Sequence, residues 1–176
     1  MSAQKTAVIL IEQDFQDLEV WYPALRLREA GLKVIFAGTG SAPQYKGKFG
    51  YPAVPDTTID KVGLKDFDVL IIPGGWAPDF LRRYPLVIQL VKDADKAGKI
   101  IGSICHGGWV LASADIIKGR AVTSFSAIKD DLVHAGANYQ DAEVVVDRNL
   151  ITSRKPDDLP AFCAAILKQV FNTVNA

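Results

Sequence analysis

Short apolar runs that alternate with helical patterns are the feature that most constrains how this chain can fold. The runs at 6–11, 33–37, 68–72 and 99–104 have the length of buried strands, and amphipathic segments follow three of them. This alternation predicts an α/β fold, a flavodoxin-like doubly wound, mostly parallel sheet with helices on both faces.

The first predicted helix covers 18–30, and Gly31 stands where a C-cap glycine belongs. Its apolar residues Leu18, Trp21, Tyr22 and Leu25 have helical spacing and are predicted to form its buried face. The other predicted helices cover 85–97, 105–114, 128–135 and a last segment that Asp157 can cap, and the other predicted strands cover 121–124, 143–146 and 150–152.

One segment, 45–54, breaks the alternation. Its glycines Gly47 and Gly50 and its Pro52 favour a small hairpin excursion, which could serve as an oligomer contact. We find no internal repeat and no linker, so the sequence predicts a single domain over 1–176.

Charge and cysteine content exclude several classes of function. Lysine plus arginine and aspartate plus glutamate number 20 each, which argues against a nucleic-acid or membrane partner. The N-terminal apolar run is too short for a signal peptide or a membrane span. Two cysteines make neither a disulfide framework nor a zinc motif, so we expect a cytoplasmic protein without metal or cofactor.

Ligands of open α/β sheets bind beyond the carboxyl ends of the strands, so the residues there are candidates for chemistry. Glu12 follows the first predicted strand, Gly75 and Asp79 follow the third, and Cys105-His106 follows the fourth. A carboxylate, a glycine turn and a Cys-His pair are therefore predicted on one rim.

The segment around Cys105 resembles a nucleophile elbow, in which a sharp strand-to-helix turn exposes the nucleophile. The helix N-terminus is expected to lower the pKa of the thiol. Backbone N–H groups of Gly75 and of His106 or Gly107 could form an oxyanion hole. Cys163 lies within a helical apolar face and is predicted to be a core residue.

Each of these candidates also has a purely structural interpretation. His106 could be a capping residue, Glu12 a solvated carboxylate, Asp79 a helix N-cap and Gly75 part of a tight turn. His134 precedes Ala135-Gly136 at the end of a polar helix and is interpreted as a surface residue.

Six stretches carry motifs of a known family. They are Ile11–Glu19 (IEQDFQDLE), Tyr45–Val54 (YKGKFGYPAV), Ile72–Asp79 (IPGGWAPD), Ile104–Gly107 (ICHG), Lys129–Gly136 (KDDLVHAG) and Glu143–Phe162 (EVVVDRNLITSRKPDDLPAF). Over nearly all of its length the chain resembles the PfpI, or intracellular-peptidase, branch of the DJ-1/PfpI superfamily, whose domain is of the class I glutamine amidotransferase-like type.

The resemblance implies a role for each candidate residue. Cys105 corresponds to the nucleophile, Glu12 to a buried glutamate that contacts its sulfur, and His106 to the histidine that pairs with it. Asp79 corresponds to an acidic third member supplied by a neighbouring subunit, and Gly75 to an oxyanion-hole donor. The resemblance further implies a homo-oligomer, either a dimer or a hexamer.

Three positions depart from the family pattern. Gly108 stands where many relatives have proline, and Asp79 stands where some have the longer glutamate. Phe125 takes the place of a second histidine found in the DJ-1 branch, which sides this chain with PfpI.

The resemblance implies a cysteine-dependent hydrolase that acts on reactive carbonyls, as a protein deglycase or a glyoxalase III-like enzyme in stress protection. One alternative is an intracellular cysteine peptidase whose Cys105-His106-Asp79 triad spans two subunits. Another is a non-enzymatic redox sensor or chaperone, since an exposed low-pKa cysteine oxidises readily.

Two other classes are excluded. A flavin-binding protein would need a phosphate cradle where this chain has acidic residues, and a glutamine amidotransferase would need a His-x-Glu arrangement that His134 does not provide.

Overall fold

A computed structural model describes residues 4–172 of the chain. Within them the strands are β1 (Thr6–Ile11), β2 (Lys33–Gly38), β3 (Tyr45–Lys46), β4 (Pro52–Ala53), β5 (Thr57–Thr58), β6 (Val69–Ile72), β7 (Ile100–Ile104), β8 (Ala121–Val122), β9 (Asn138–Tyr139), β10 (Val144–Asp147) and β11 (Leu150–Ser153). The α-helices are α1 (Asp17–Glu29), α2 (Ala77–Leu81), α3 (Pro85–Lys96), α4 (Gly108–Ser113), α5 (Lys129–His134) and α6 (Leu159–Asn172).

A seven-stranded sheet in the order β10-β11-β7-β6-β1-β2-β5 forms the centre of the fold. All neighbouring strands are parallel except β10, which pairs with β11 in the antiparallel direction. Helices cover the sheet, with α1 packed on α6 and α3 packed on α4. The predicted flavodoxin-like doubly wound fold is confirmed.

The central strands are apolar throughout because both of their faces are covered. Every residue of β6 and β7 is buried, and in β1 only the first residue is partly exposed. These strands are the ones that the sequence predicts most directly, and they end at the rim that carries the site.

Several minor elements differ from the prediction. The sequence analysis does not predict the two-residue strands β5 and β9 or the five-residue helix α2. The predicted strand 121–124 shortens to β8 and pairs with β9 outside the main sheet. The predicted helix 105–114 begins as a 3₁₀ turn over Cys105–Gly107 and becomes α4 at Gly108.

The hairpin predicted over 45–54 is confirmed: β3 and β4 form their own antiparallel pair, with Tyr45 opposite Ala53. Its role in oligomer contact stays a prediction. The single domain over 1–176 also stays a prediction, and residues 1–3 and 173–176 lie outside the described residues. No helix within residues 4–172 has the length and apolarity to cross a bilayer.

The buried face of α1 is the main error of the sequence interpretation. Leu18 and Leu25, predicted to be buried, are 55% and 59% exposed. The helix instead packs Val20 and Leu27 inward and buries Glu19 with them. Both faces have helical spacing, so the pattern alone does not fix the rotation of the helix about its axis.

This rotation can be tested with two identical substitutions on one helix. We expect Leu27→Ala to lower the free energy of unfolding by about 2–5 kcal/mol, because it leaves a cavity in the core. Leu25→Ala should change it by less than about 0.5 kcal/mol. Chemical denaturation of both variants measures the difference, and equal losses would contradict the observed orientation of α1.

Candidate active site

Cys105 lies directly after the last residue of β7, in a backbone conformation that is unusual for a residue with a side chain. Its φ of 60° falls in the left-handed region. Such a conformation typically costs about 1–3 kcal/mol and is found where a sharp turn presents a functional group. The predicted elbow geometry is present.

Glycine at position 74 allows two side chains to meet beneath the loop after β6. A Cβ on Gly74 would lie 2.5 Å from Oε2 of Glu19 and 2.7 Å from Cβ of Cys105. Any larger residue would therefore occupy the space in which the carboxyl group approaches the thiol.

Glu19 is the carboxyl group at the cysteine. Gln16 caps α1 by accepting a 3.0 Å hydrogen bond from the backbone N–H of Glu19, and this fixes the first turn of the helix. The Glu19 side chain is fully buried, and its Oε2 accepts a 2.7 Å hydrogen bond from the N–H of Gly74. Its Oε1 is buried without a hydrogen bond of regular geometry to any described residue, which leaves it available to the thiol.

Burial of Glu19 and Cys105 together changes the proton affinity of both. Burial raises the pKa of Glu19 from 4.5 to about 7, against the opposing effects of the Gly74 N–H, the Cys105 side chain and the charge of Lys48. Burial and the negative charge of Glu19 raise the pKa of the Cys105 thiol to about 12. The expected lowering of the thiol pKa is therefore wrong for the resting pair, which holds two protons below about pH 7 and one proton above it.

The prediction that Glu12 contacts the sulfur is wrong. Glu12 is buried, but its carboxylate accepts hydrogen bonds from the hydroxyl groups of Thr39 and Ser41 and from the N–H of Gln13. The reason is the strand order. Glu12 follows β1, which β6 separates from β7 and Cys105, and its side chain turns the other way, toward the loop after β2.

His106 lies beside the nucleophile, as predicted, with Nδ1 3.2 Å from Sγ of Cys105. Its ring stacks on Phe125 at 5.2 Å and meets Trp109 edge-on at 5.0 Å. Burial, assisted by the charge of Lys48, lowers the pKa of His106 below 6.5, so the imidazole is neutral at pH 7.

Two of the three predicted oxyanion-hole donors face the sulfur. The backbone N–H groups of Gly75 and His106 form hydrogen bonds that lower the pKa of Cys105. Gly107 has a packing role instead, because a Cβ there would lie 2.6 Å from the carbonyl oxygen of Ile72.

Asp79 lies on α2 and forms an ion pair with Arg83, four residues further along the chain. Its side chain is 39% exposed. Within the described chain its carboxylate therefore faces outward, and its action on His106 of a neighbouring subunit stays a prediction.

A cavity of about 330 Å³ is lined in part by Cys105. It is lined by Gln16, Glu19, Lys48, Phe49, Gly75, Trp76, Cys105, His106, Phe125 and Pro156. A second cavity of about 420 Å³ lies between β2 and Asp66, away from Cys105. The first is the candidate site because both Cys105 and Glu19 line it.

No group of three or more metal-ligating side chains is found in residues 4–172. Cys163 is fully buried in α6, where burial raises the pKa of its thiol to about 12. Its predicted position in the core is confirmed.

Comparison with known proteins matches residues 5–169 to the model of the DJ-1/PfpI family. The chain belongs to this family. The resemblance inferred from the sequence motifs is thus confirmed over almost all of the described chain.

Members of the DJ-1/PfpI family that are similar to this chain carry different functional names. Protein/nucleic acid deglycase 2 of Escherichia coli (strain K12) is 43% identical over 160 residues, 90% of this chain and 93% of the relative. A protein of Bacillus subtilis (strain 168) named as a candidate cysteine protease, YraA, is 40% identical over 158 residues, 90% of this chain and 94% of the relative.

A crystal structure from Anabaena variabilis superposes with a TM-score of 0.93 at 42% identity. That protein has a DJ-1/ThiJ/PfpI-like domain and a ferritin-like domain. The match covers 95% of this chain and 48% of that protein, so this chain spans about half its length.

Sequence reasoning missed Glu19, Lys48 and Gln16 as site residues. The face predicted for the first helix consisted of Leu18, Trp21, Tyr22 and Leu25, and Glu19 was given no role. The alternative spacing of Val20, Ala24 and Leu27, which are all fully buried, contained the information needed to find it.

The raised pKa of Glu19 has a consequence for stability. The folded state holds the Glu19 proton more tightly than the unfolded state. This difference stabilises the fold fully below pH 4.5, and the stabilisation is lost as pH rises through about 7. Glu19→Gln stays neutral, so we expect it to gain stability relative to wild type by up to about 3 kcal/mol between pH 4.5 and pH 8. Chemical denaturation at the two pH values measures this gain. If the free energies of unfolding of Glu19→Gln and wild type differed equally at both pH values, a raised pKa of Glu19 would be contradicted.

Proposed function

We propose that this protein is a cysteine-dependent hydrolase that acts on reactive carbonyls, as a deglycase or a glyoxalase. The observation that carries the proposal is the approach of the buried Glu19 carboxyl group to Cys105 beneath Gly74. A carboxyl group with a pKa near 7 can both accept and donate a proton at neutral pH, as this chemistry requires. The deglycase names of similar proteins support the same conclusion.

For methylglyoxal, the thiol of Cys105 adds to the aldehyde carbon, and its proton passes through Glu19 to the aldehyde oxygen. The new S–C bond gives a hemithioacetal. Glu19 then moves the proton from the carbon bonded to sulfur to the neighbouring carbon, and the hydroxyl proton passes to the neighbouring oxygen, which produces a lactoyl thioester. Water cleaves the thioester to lactate and regenerates the thiol, so the net reaction is methylglyoxal plus water to lactic acid.

The backbone N–H groups of Gly75 and His106 stabilise the oxygen anions that form in these steps. They already point at the sulfur in the resting site. In related chemistry, removal of one such donor costs about 3 kcal/mol in the reaction barrier.

A cysteine peptidase is the second candidate, and the 3.2 Å approach of His106 Nδ1 to Sγ favours it. Three observations weigh against it. His106 is neutral, so no thiolate–imidazolium pair is preformed. Asp79 is paired with Arg83, and a cavity of about 330 Å³ accommodates little more than one modified side chain.

We also propose a cytoplasmic role in stress protection and assembly into a dimer or hexamer. The exposed Leu18 and Leu25 on α1 are consistent with a further protein contact.

If Asp79 completes a triad across that assembly, Asp79→Asn should reduce cleavage of a fluorogenic peptide and leave lactate formation intact.

The nucleophile is tested by replacing each cysteine in turn. We expect Cys105→Ala to reduce lactate formation from methylglyoxal to the background rate, since no thiol remains to form the hemithioacetal. Cys163→Ala, the matched control, should remain active because its thiol is fully buried in the core. Equal activity in the two variants would rule out Cys105 as the nucleophile.

The acid–base group is tested by replacing each glutamate in turn. We expect Glu19→Gln to lower kcat for methylglyoxal by about 10²–10⁴, the usual contribution of a positioned general base. The rise of wild-type activity with a pKa near 7 should disappear in this variant. Glu12→Gln should stay near wild-type activity because Glu12 is bound to Thr39 and Ser41, and the reverse order of effects would return the role to Glu12.

A further inference from the structure

The loop between β3 and β4 is attached rigidly to the base of the active site. The carboxylate of Asp17 accepts hydrogen bonds from the backbone N–H groups of Phe49, at 3.0 Å, and Tyr51, at 2.9 Å. Gly47 packs so closely on this carboxylate that a Cβ would lie 2.4 Å from its Cγ. The N–H of Lys48 donates a 2.8 Å hydrogen bond to the carbonyl of Phe15. The backbone that carries Lys48 is therefore fixed.

The Lys48 side chain lines the same cavity as Cys105. Its Nζ lies 5.0 Å from the centroid of the Phe49 ring, a cation–π distance that keeps the ammonium beside the aromatic wall. Its positive charge acts on both Glu19 and His106, the two titratable side chains beside Cys105.

Lys48 supplies the positive charge of this cavity. It is the only lysine or arginine among the described residues that line the cavity, its side chain is exposed, and it forms no ion pair with a carboxylate in residues 4–172. The carboxylate of Asp17, to which this loop is attached, is occupied by backbone N–H groups. The cavity thus combines aromatic walls, a nucleophile and one free ammonium group.

We propose that Lys48 is a specificity residue that binds a carboxylate of the substrate while Cys105 attacks the carbonyl at its other end. The substrate class is then an α-oxoaldehyde, or an adduct of one, that carries a carboxylate. A single ammonium matches the single charge of a carboxylate, and Trp76 and Phe125 provide apolar walls for the carbons between the two groups. This inference rests on the proposed carbonyl chemistry.

A suitable substrate is 4,5-dioxopentanoate. Its aldehyde carbon forms the S–C bond with Cys105, Glu19 moves a proton from that carbon to the neighbouring one, and water cleaves the thioester. The aldehyde carbon is oxidised and its neighbour is reduced, so no external oxidant is needed. The product is 2-hydroxyglutarate.

The test compares kcat/KM for 4,5-dioxopentanoate with that for its neutral methyl ester. We expect the ratio of acid to ester to fall about five- to tenfold in Lys48→Ala, as for loss of one partly exposed ionic hydrogen bond. Lys48→Arg should largely retain the ratio. Added salt should lower the ratio in wild type and not in Lys48→Ala, because mobile ions screen the ammonium.

Lys46 provides the matched control because it is an exposed lysine on the same hairpin that does not line the cavity. Lys46→Ala should keep the wild-type ratio. An unchanged ratio in Lys48→Ala, or an equal fall in Lys46→Ala, would overturn the proposal by showing that no specific contact is made.

A second measurement separates this inference from the proposed function. Saturating 2-hydroxyglutarate should protect Cys105 from alkylation by iodoacetamide in wild type and in Lys46→Ala, and not in Lys48→Ala. If no oxoaldehyde is turned over but this protection is found, the carbonyl chemistry fails and the carboxylate site stands. Equal protection in Lys48→Ala, or none in wild type, would overturn the site itself.

Discussion

The burial of one carboxyl group against one thiol is the interaction on which the site depends. Burial removes the Glu19 carboxyl group from solvent. In the interior it accepts a hydrogen bond from the N–H of Gly74 and contacts the side chain of Cys105. A buried carboxylate without a cation at contact distance is unfavourable, so the group retains its proton up to about pH 7. This places a proton acceptor whose pKa is near neutrality at Cys105.

The fold places this pair by bringing three loops to one edge of the sheet. The elbow after β7 presents Cys105, the glycine turn after β6 leaves space for the contact, and the cap of α1 fixes Glu19. The hydrogen bond from the N–H of Gln16 to the carbonyl of Gly74 joins the last two segments directly. The geometry of the reacting groups therefore rests mostly on backbone contacts, which vary little with side-chain motion.

Aromatic rings and a single lysine shape the rest of the cavity. Phe125 stacks on His106 and keeps the imidazole beside the sulfur, while burial keeps it neutral. Lys48 adds a positive charge that forms no ion pair within residues 4–172. The polarity of the cavity is accordingly set at two points, Glu19 and Lys48.

The sequence predicted the parts of this structure that follow from local pattern. The apolar runs of β1, β6 and β7 have no alternative to burial, and a cysteine between a strand and paired glycines indicated the elbow. Glu19 was missed because two faces of α1 have equal helical spacing, and only packing against the sheet and α6 decides between them. Glu12 was misassigned because its position after β1 says nothing about which neighbouring loop its side chain will meet.

The shared proton of Glu19 and Cys105 is the central claim, and the rate of Cys105 alkylation by iodoacetamide as a function of pH tests it most directly. Cys105 reacts in the state in which it and Glu19 together hold one proton. The alkylation rate of wild type should therefore rise with an apparent pKa near 7 and then level off. In Glu19→Gln this rise should vanish, leaving only the titration of an isolated buried thiol at higher pH. The same curve for both proteins would show that Glu19 and Cys105 do not share a proton, and would contradict this account of the site.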